Sequence, residues 1–311
     1  MRVAVTGATG FVGRHVVDQL SRRGHTVRGL ARTARGARLL AARGADAVPG
    51  ELADSTALHT LLRGADAAVH LVGIIVESGG SGGTFAAVHA DGTRRVLEAA
   101  RDTGVRRMVH MSAVGARPDP SATPYHRTKW QAEEFVRSSG LRAAIFRPSL
   151  INGPENAPVR TLARAHRWSP VVPVFGDGRF PTQPVWIEDV ALAFALAVER
   201  PDLVGTFELG GPDVLTFEEF VRAIGRASGH PRPLIHVPLG VVRLAARLSN
   251  PLGRAAPITS DQLRMLVEGT ATPGNAIESV FGIKPLSFED GLRRFLGKGG
   301  LGKGGRGKGG R

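Results

Sequence analysis

The chain has 311 residues, 42% of them hydrophobic, no cysteine, and a net charge of +14. The length suits one large domain or two modest ones with a real core. The missing thiols exclude a disulfide framework and any thiolate metal site. The charge invites a nucleic-acid reading, but five basic residues fall in a glycine tail after Leu296, and most of the rest are arginines scattered singly through helical patterns. A solvated basic surface is expected rather than a specific nucleic-acid site.

The sequence opens directly on an apolar run, Val3 to Thr6, with no secretory pattern before it. Its longest apolar run, Ala191 to Val198, is far short of a membrane span. A soluble cytoplasmic protein is expected, with attachment to a membrane surface left open. Thr26 to Ala31, Ala67 to Val72, Arg107 to Ser112 and Ala143 to Arg147 read as further strands. Helical patterns lie between them, such as Val12, Val16 and Leu20 at four-residue spacing and part of Val88 to Ala100. Strands that alternate with helices, each nearly continuous in apolar residues, predict βαβ units and a parallel sheet covered on both faces. The fold class is therefore α/β, a doubly wound parallel sheet of Rossmann type.

The first strand runs into Thr6-Gly7-Ala8-Thr9-Gly10-Phe11-Val12-Gly13, which opens the first helix. A strand, three glycines at three-residue spacing and a helix make a dinucleotide turn. A pyrophosphate needs bare amides at a helix N-terminus. A Cβ at Gly7 or Gly10 would obstruct the turn or the approach, and Gly13 lets helix and strand pack closely. Gly7, Thr9, Gly10, Phe11, Val12 and Gly13 are thus cofactor candidates. NAD sites place an acid about 20 residues on, at the end of the second strand. Here that region reads Gly29-Leu30-Ala31-Arg32-Thr33-Ala34-Arg35, without an acid, so Arg32 would pair a 2′-phosphate. NADP is favoured and NAD stays open. Further on, Glu51 and Leu52 would border the adenine.

The sole tyrosine, Tyr125, stands four residues before Lys129, one of only two lysines outside the tail. Both fall on one face of a helical pattern. In a chain with 36 Arg and 5 Lys, a retained lysine suggests a compact ammonium that arginine cannot replace. Phenol titrates near pH 10, and an adjacent ammonium would lower it into the working range. Lys129 would also hold the cofactor ribose. Ser112, at a strand carboxyl end where open α/β sheets bind ligands, would bond the substrate oxygen. Ser112, Tyr125 and Lys129 are the catalytic candidates. His126, beside the tyrosine, belongs to another helix face and is expected to be exposed.

After Pro148 the texture changes. Residues 1–150 read as the dinucleotide-binding core, with 185–205 returning to it. Residues 151–296 read as a smaller substrate lobe, and 297–311 as a disordered Gly/Lys/Arg tail. Val185 to Ile187 and Phe207 to Leu209 are expected strands. Glu188-Asp189 would cap a helix beginning near Val190. Thr216 with Glu219, Thr259 with Gln262 and Ser287 with Asp290 mark helix starts. Phe175 to Arg179 reads as a tight turn. The ten histidines form no ligand spacing with acids, so no metal is expected.

The glycine turn TGATGFVG, the strand-ending Ser112 and YHRTK, in this order, resemble the short-chain dehydrogenase/reductase superfamily, in its extended or atypical branch. The stretches HLVGIIVES, VHADGTRRVLEAARDTGVRRMVHMSAVGA, IFRPSLINGPEN and QPVWIEDVA resemble, more closely, the NAD(P)H-binding family that includes the nucleotide-binding accessory subunit of respiratory complex I. The resemblance covers residues 1 to 296. It implies a bound NADP or NAD lined also by His70, Leu71, Val72 and Gly73, and hydride transfer at Ser112, Tyr125 and Lys129 to or from a small carbonyl or hydroxyl compound, apolar or quinone-like. It equally admits a non-catalytic accessory or assembly protein, with respiratory-complex or peripheral membrane association, and a sugar-nucleotide epimerase or dehydratase. His89 departs from the pattern, standing where extended members often carry Asn.

Overall fold

The computed structural model of the protein describes residues 1–77, 83–250 and 258–297. The tail read as disordered lies, beyond Gly297, outside the described residues.

Five apolar runs become strands of one sheet: β1 (Arg2–Thr6), β2 (Thr26–Ala31), β4 (Ala67–His70), β5 (Arg107–Met111) and β6 (Arg142–Pro148), with β3 (Asp46–Pro49) at one edge. Between them run α1 (Phe11–Arg22), α2 (Ala34–Ala41), α3 (Ser55–Leu62), α4 (Gly92–Asp102, entered through a π-helical turn Ala86–Asp91) and α5 (Pro124–Arg137). The rest of the chain gives β7 (Leu150–Asn152), α6 (Ala157–Trp168), β8 (Val172–Phe175), β9 (Pro181–Thr182), β10 (Pro184–Trp186), α7 (Ile187–Glu199) and β11 (Gly205–Leu209). It closes with β12 (Leu215–Thr216), α8 (Phe217–Ala227), β13 (Leu234–Val237), α9 (Leu239–Ser249), α10 (Ser260–Glu268), α11 (Ala276–Ser279) and α12 (Phe288–Leu296).

The sheet runs β11-β6-β5-β4-β1-β2-β3, and every pairing is parallel. The strand order reverses beside β1, the switch point at which open α/β sheets bind ligands. Alternate side chains of each strand feed two cores. Val5, Val69, Val109 and Phe146 pack with α1 and α7, whereas Ala4, Ala68, Met108 and Ile145 pack with α3, α4 and α5. This is why the strands lack polar alternation: both faces are covered. The run Ala191–Val198 is the buried body of α7, not a surface segment.

Three small sheets, β10 with β7, β12 with β9 and β13 with β8, lie outside the large one. A third core gathers α6, β8, α8 and α12 around Phe217, Phe220 and Phe288. The reciprocal caps at Thr216/Glu219 and Thr259/Gln262 form as the spacing predicts, and Ser287 caps α12. Gly176 and Gly178 take positive φ in the predicted turn. Two expectations are corrected. The strand expected over 185–187 is Pro184–Trp186, and α7 begins at Ile187 rather than near Val190. Its acids sit in the first turn rather than capping: Glu188 accepts from His15 and Gln19, and Asp189 from the Leu286 amide. Those partners are remote in sequence, so local spacing could not show them.

Candidate functional site

The glycine turn is shaped by contacts that side chains would break. Gly7 has φ +75, and a Cβ there would stand 3.0 Å from Leu71 C and Val72 N, so the ends of β1 and β4 meet at van der Waals range. At Gly13 a Cβ would fall 2.0 Å from the Gly7 carbonyl oxygen. That position is the tightest of the three. Gly10 is in ordinary extended backbone, and its Cβ would meet only Gly7 O at 3.2 Å. The fold alone therefore constrains it least, so of the two expected obstructions the one left to Gly10 is the approach of a ligand rather than the turn. No side chain caps α1, and no acid lies in its first turn. The amides of Phe11, Val12 and Gly13 are those a helix leaves without internal partners. These features fit a dinucleotide pyrophosphate.

Around this turn, Thr9 Cγ2 lies 3.1 Å from where a Gly36 Cβ would stand, so the first turn of α2, just after the β2–α2 connection, abuts the glycine turn. Arg32, in that connection, is exposed, as is Glu51. Leu52 instead packs inward: its Cδ1 would be 2.8 Å from a Gly92 Cβ. Phe11 is half-buried against Gly153 and stacks edge-on with His15.

The second group of residues converges at the carboxyl ends of β4 and β5. Thr123 caps α5, with Pro124 at its first position, the arrangement that fixes a helix start. One turn on, Lys129 is buried and its Nζ donates to Met111 O at 3.1 Å. A Cβ on Gly73 would come 2.9 Å from that Nζ and 3.6 Å from His89 Nε2, so Gly73, Lys129 and His89 meet. Burial pulls Lys129 down to about 8, against the opposing carboxylate of Glu133. Glu133 is itself wholly buried and is held by Arg147 at 2.8 Å and by Arg137. Ser112 follows Met111; its amide donates to Phe146 O, while its buried Oγ has no hydrogen-bond partner among the described residues. A buried hydroxyl without a protein partner is one that an ordered water or a ligand can satisfy.

Tyr125 is half-buried, its ring edge-on to Phe85, His89 and His126. Burial pushes its hydroxyl up to about 12. The expected lowering by Lys129 is thus reversed, since desolvation dominates. His126 corrects a further expectation. It is buried, with Nδ1 3.7 Å from Glu268, because α10 arrives from far along the chain to cover that face.

A hydrogen-bond chain not legible in the sequence braces the site. Thr6 Oγ1 lies 2.6 Å from His70 Nδ1, His70 Nε2 lies 3.1 Å from Thr93 Oγ1, and Thr93 donates to the His89 carbonyl at 2.6 Å. Because the Thr93 proton goes to His89 O, His70 donates from Nε2, and when the ring is neutral its Nδ1 accepts from Thr6. Burial draws His70 down to about 3, which keeps it neutral near pH 7. His89, in the π-helical turn, reaches Thr128 with Nδ1 at 2.9 Å and the Ile74 backbone with Nε2 at 3.1 Å. Burial and nearby Lys129 take it down to about 2. No group of His, Asp and Glu suited to a metal occurs among the described residues.

The arrangement is that of a nucleotide-dependent enzyme class built on a Rossmann sheet. The chain belongs to the NAD dependent epimerase/dehydratase family, whose sequence profile matches residues 3–210. It is 34% identical to ceramide reductase of Caulobacter vibrioides over 238 residues, 76% of this chain and 73% of that protein. It is 27% identical to subunit 9 of the NADH dehydrogenase [ubiquinone] 1 alpha subcomplex of Arabidopsis thaliana, over 88% of this chain and 71% of that one. The resemblance to complex I subunits and reductases is therefore borne out. Among solved structures, UDP-glucose 4-epimerase of Thermus thermophilus in complex with NAD superposes with a TM-score of 0.69 at 24% identity, covering 94% and 97% of the two chains. That likeness shows the shared fold.

Proposed function

We propose that the protein is a reductase that transfers hydride from NADPH to the carbonyl of a small lipophilic substrate. The observation that carries this reading is the unpartnered, buried Ser112 Oγ one residue after Met111, whose carbonyl holds Lys129 Nζ, with Tyr125 one helical turn before that lysine. When bound, the nicotinamide supplies the hydride. Ser112 donates to the substrate oxygen and orients it. Tyr125, protonated at neutral pH because burial holds it near 12, gives its proton to that oxygen as C–H forms, leaving an alcohol. Lys129 bonds the ribose and, as an ammonium, steadies the phenolate left behind.

NADPH is preferred in this reading because exposed Arg32 directly follows β2 with no acid beside it, a charge-assisted partner for a 2′-phosphate. A lipophilic substrate is supported by two relatives, the ceramide reductase and the subunit of an NADH dehydrogenase that uses ubiquinone. The likeness to complex I subunits also favours a second reading, a non-catalytic nucleotide-binding accessory protein.

The test is a panel of long-chain ketones and quinones with NADPH, followed by Tyr125→Phe. The variant should bind NADPH as the native protein does and lose about 10²- to 10⁴-fold in turnover. Full turnover in the variant refutes the mechanism. No turnover with any substrate, and no effect of the variant on any property, supports the accessory reading.

A further inference from the structure

The longest stretch of the chain without an acidic residue is 220–260, which carries six arginines and two histidines. At its centre lies α9, LGVVRLAARLS. Only Val242 and Ala246 of this helix are buried, packed with Leu263 of α10. On the opposite side Val241, Leu244 and Leu248 are 57%, 59% and 73% exposed. Three of the ten exposed large hydrophobic side chains among the described residues thus sit on one short helix. At 3.6 residues per turn they form a single stripe, with Ala245 on its far margin and Arg243 and Arg247 flanking the near one. Many arginines of this protein are tied to carboxylates, as at Arg23–Glu199 and Arg147–Glu133. Arg243 and Arg247 have no hydrogen bond or ion pair among the described residues, and no acid stands on their helix.

We propose that α9 is an interfacial helix that docks the protein on an anionic lipid bilayer. An apolar stripe flanked by cations, on a helix too short to span, is what lies in the headgroup region of a membrane. The unpaired guanidiniums supply the charge complement to anionic headgroups, and their aliphatic stems lie along the apolar boundary. A second copy of this chain would bring two like-charged faces together, which argues against a dimer through α9. The position also serves the site. Helix α10, on which α9 packs, places Glu268 3.2 Å from Arg117 and 3.7 Å from His126, the neighbour of Tyr125. Asp261 of the same helix feels Glu77 and Arg127. The docked face is therefore one helix away from Tyr125. The surface goes beyond the hydride-transfer reading and does not depend on turnover.

The experiment is co-sedimentation of the full chain with vesicles of phosphatidylcholine alone and with about one third phosphatidylglycerol. The native protein should pellet with the anionic vesicles and at least about tenfold less with neutral ones. Leu244→Asp with Leu248→Asp should lower anionic partitioning at least about tenfold while NADPH affinity, measured in parallel, shows that the variant is folded. Arg243→Gln with Arg247→Gln should remove most of the preference for anionic over neutral vesicles. The basic tail is the same in every variant, so it cannot produce these differences. Partitioning of the Leu variant within twofold of native overturns the proposal. So does a native protein that ignores anionic vesicles, or one that instead forms a concentration-dependent dimer abolished by the Leu substitutions.

Discussion

Replacing Lys129 by methionine should make the protein more stable at neutral pH while removing its function. The ammonium is fully buried and drawn from its ordinary 10.5 to about 8. At 1.36 kcal/mol per pH unit, holding it charged in the fold costs roughly 3 kcal/mol. Methionine fills similar volume without that cost, as apolar replacements of buried charges often do. Against this, Met111 O loses its donor, about 1 kcal/mol, and Glu133 keeps Arg147 and Arg137. The expected net gain is on the order of 1–2 kcal/mol near pH 7. The sign follows from linkage. Between about 8 and 10.5 the unfolded chain holds a proton on Lys129 that the folded chain has released, so native stability rises with pH through that window. The advantage of the methionine variant should shrink towards pH 10 and be largest below 8. Urea unfolding followed by tryptophan fluorescence, near pH 7 and near pH 10, measures both. A variant less stable than native at pH 7, with a gap that pH does not change, would refute the reasoning.

Gly13→Ala places a Cβ 2.0 Å from Gly7 O and 2.8 Å from Ala8 Cα, both backbone. It should cost about 3 kcal/mol or more and weaken nucleotide binding, readable by thermal melting with and without NADPH; an unchanged melting curve would sink the account of the turn. Arg32→Asp should invert a native preference for NADPH over NADH in fluorescence titrations, and equal native affinities would remove the argument from charge. Arg107, buried and drawn down to about 10, donates to the carbonyls of Ala197, Leu203 and Arg142. Arg107→Met should cost about 2–4 kcal/mol by orphaning them, and a chemical-denaturation midpoint equal to native would count against it.

Most of the sheet was legible because its strands are buried on both faces, so Val3–Thr6, Thr26–Ala31 and Ala143–Arg147 read as apolar runs. The glycine turn was legible because close backbone approach admits few residues. Tyr125 and Lys129 stood out through composition and helical spacing. What failed was whatever a distant element decides. Periodicity placed His126 on an outer face, but α10 covers it. Elementary charge logic lowered Tyr125, but burial raised it. The chain from Thr6 through His70 and Thr93 to His89 joins β1, β4 and the entry to α4, and no local window contains it. Glu133 carries no signal in the sequence, and only the fold shows it buried between two arginines.

The histidines around the candidate site have a consequence for how the protein meets its surroundings. Imidazole is the side chain that usually reports on pH near neutrality, and this protein gathers four about Tyr125 and Lys129. Yet His70 and His89 are drawn to about 3 and 2, His110 stacks on His70 and lies well below its ordinary range, and His126 is lowered as well. Desolvation leads in every case. The rings of His70, His89 and His110 act as an uncharged polar lining, offering shape and hydrogen bonds without a variable field. Acidification that would recharge an exposed imidazole leaves this frame unaltered. Lys129, drawn down to about 8, is then the group beside this frame that titrates on the alkaline side of neutrality.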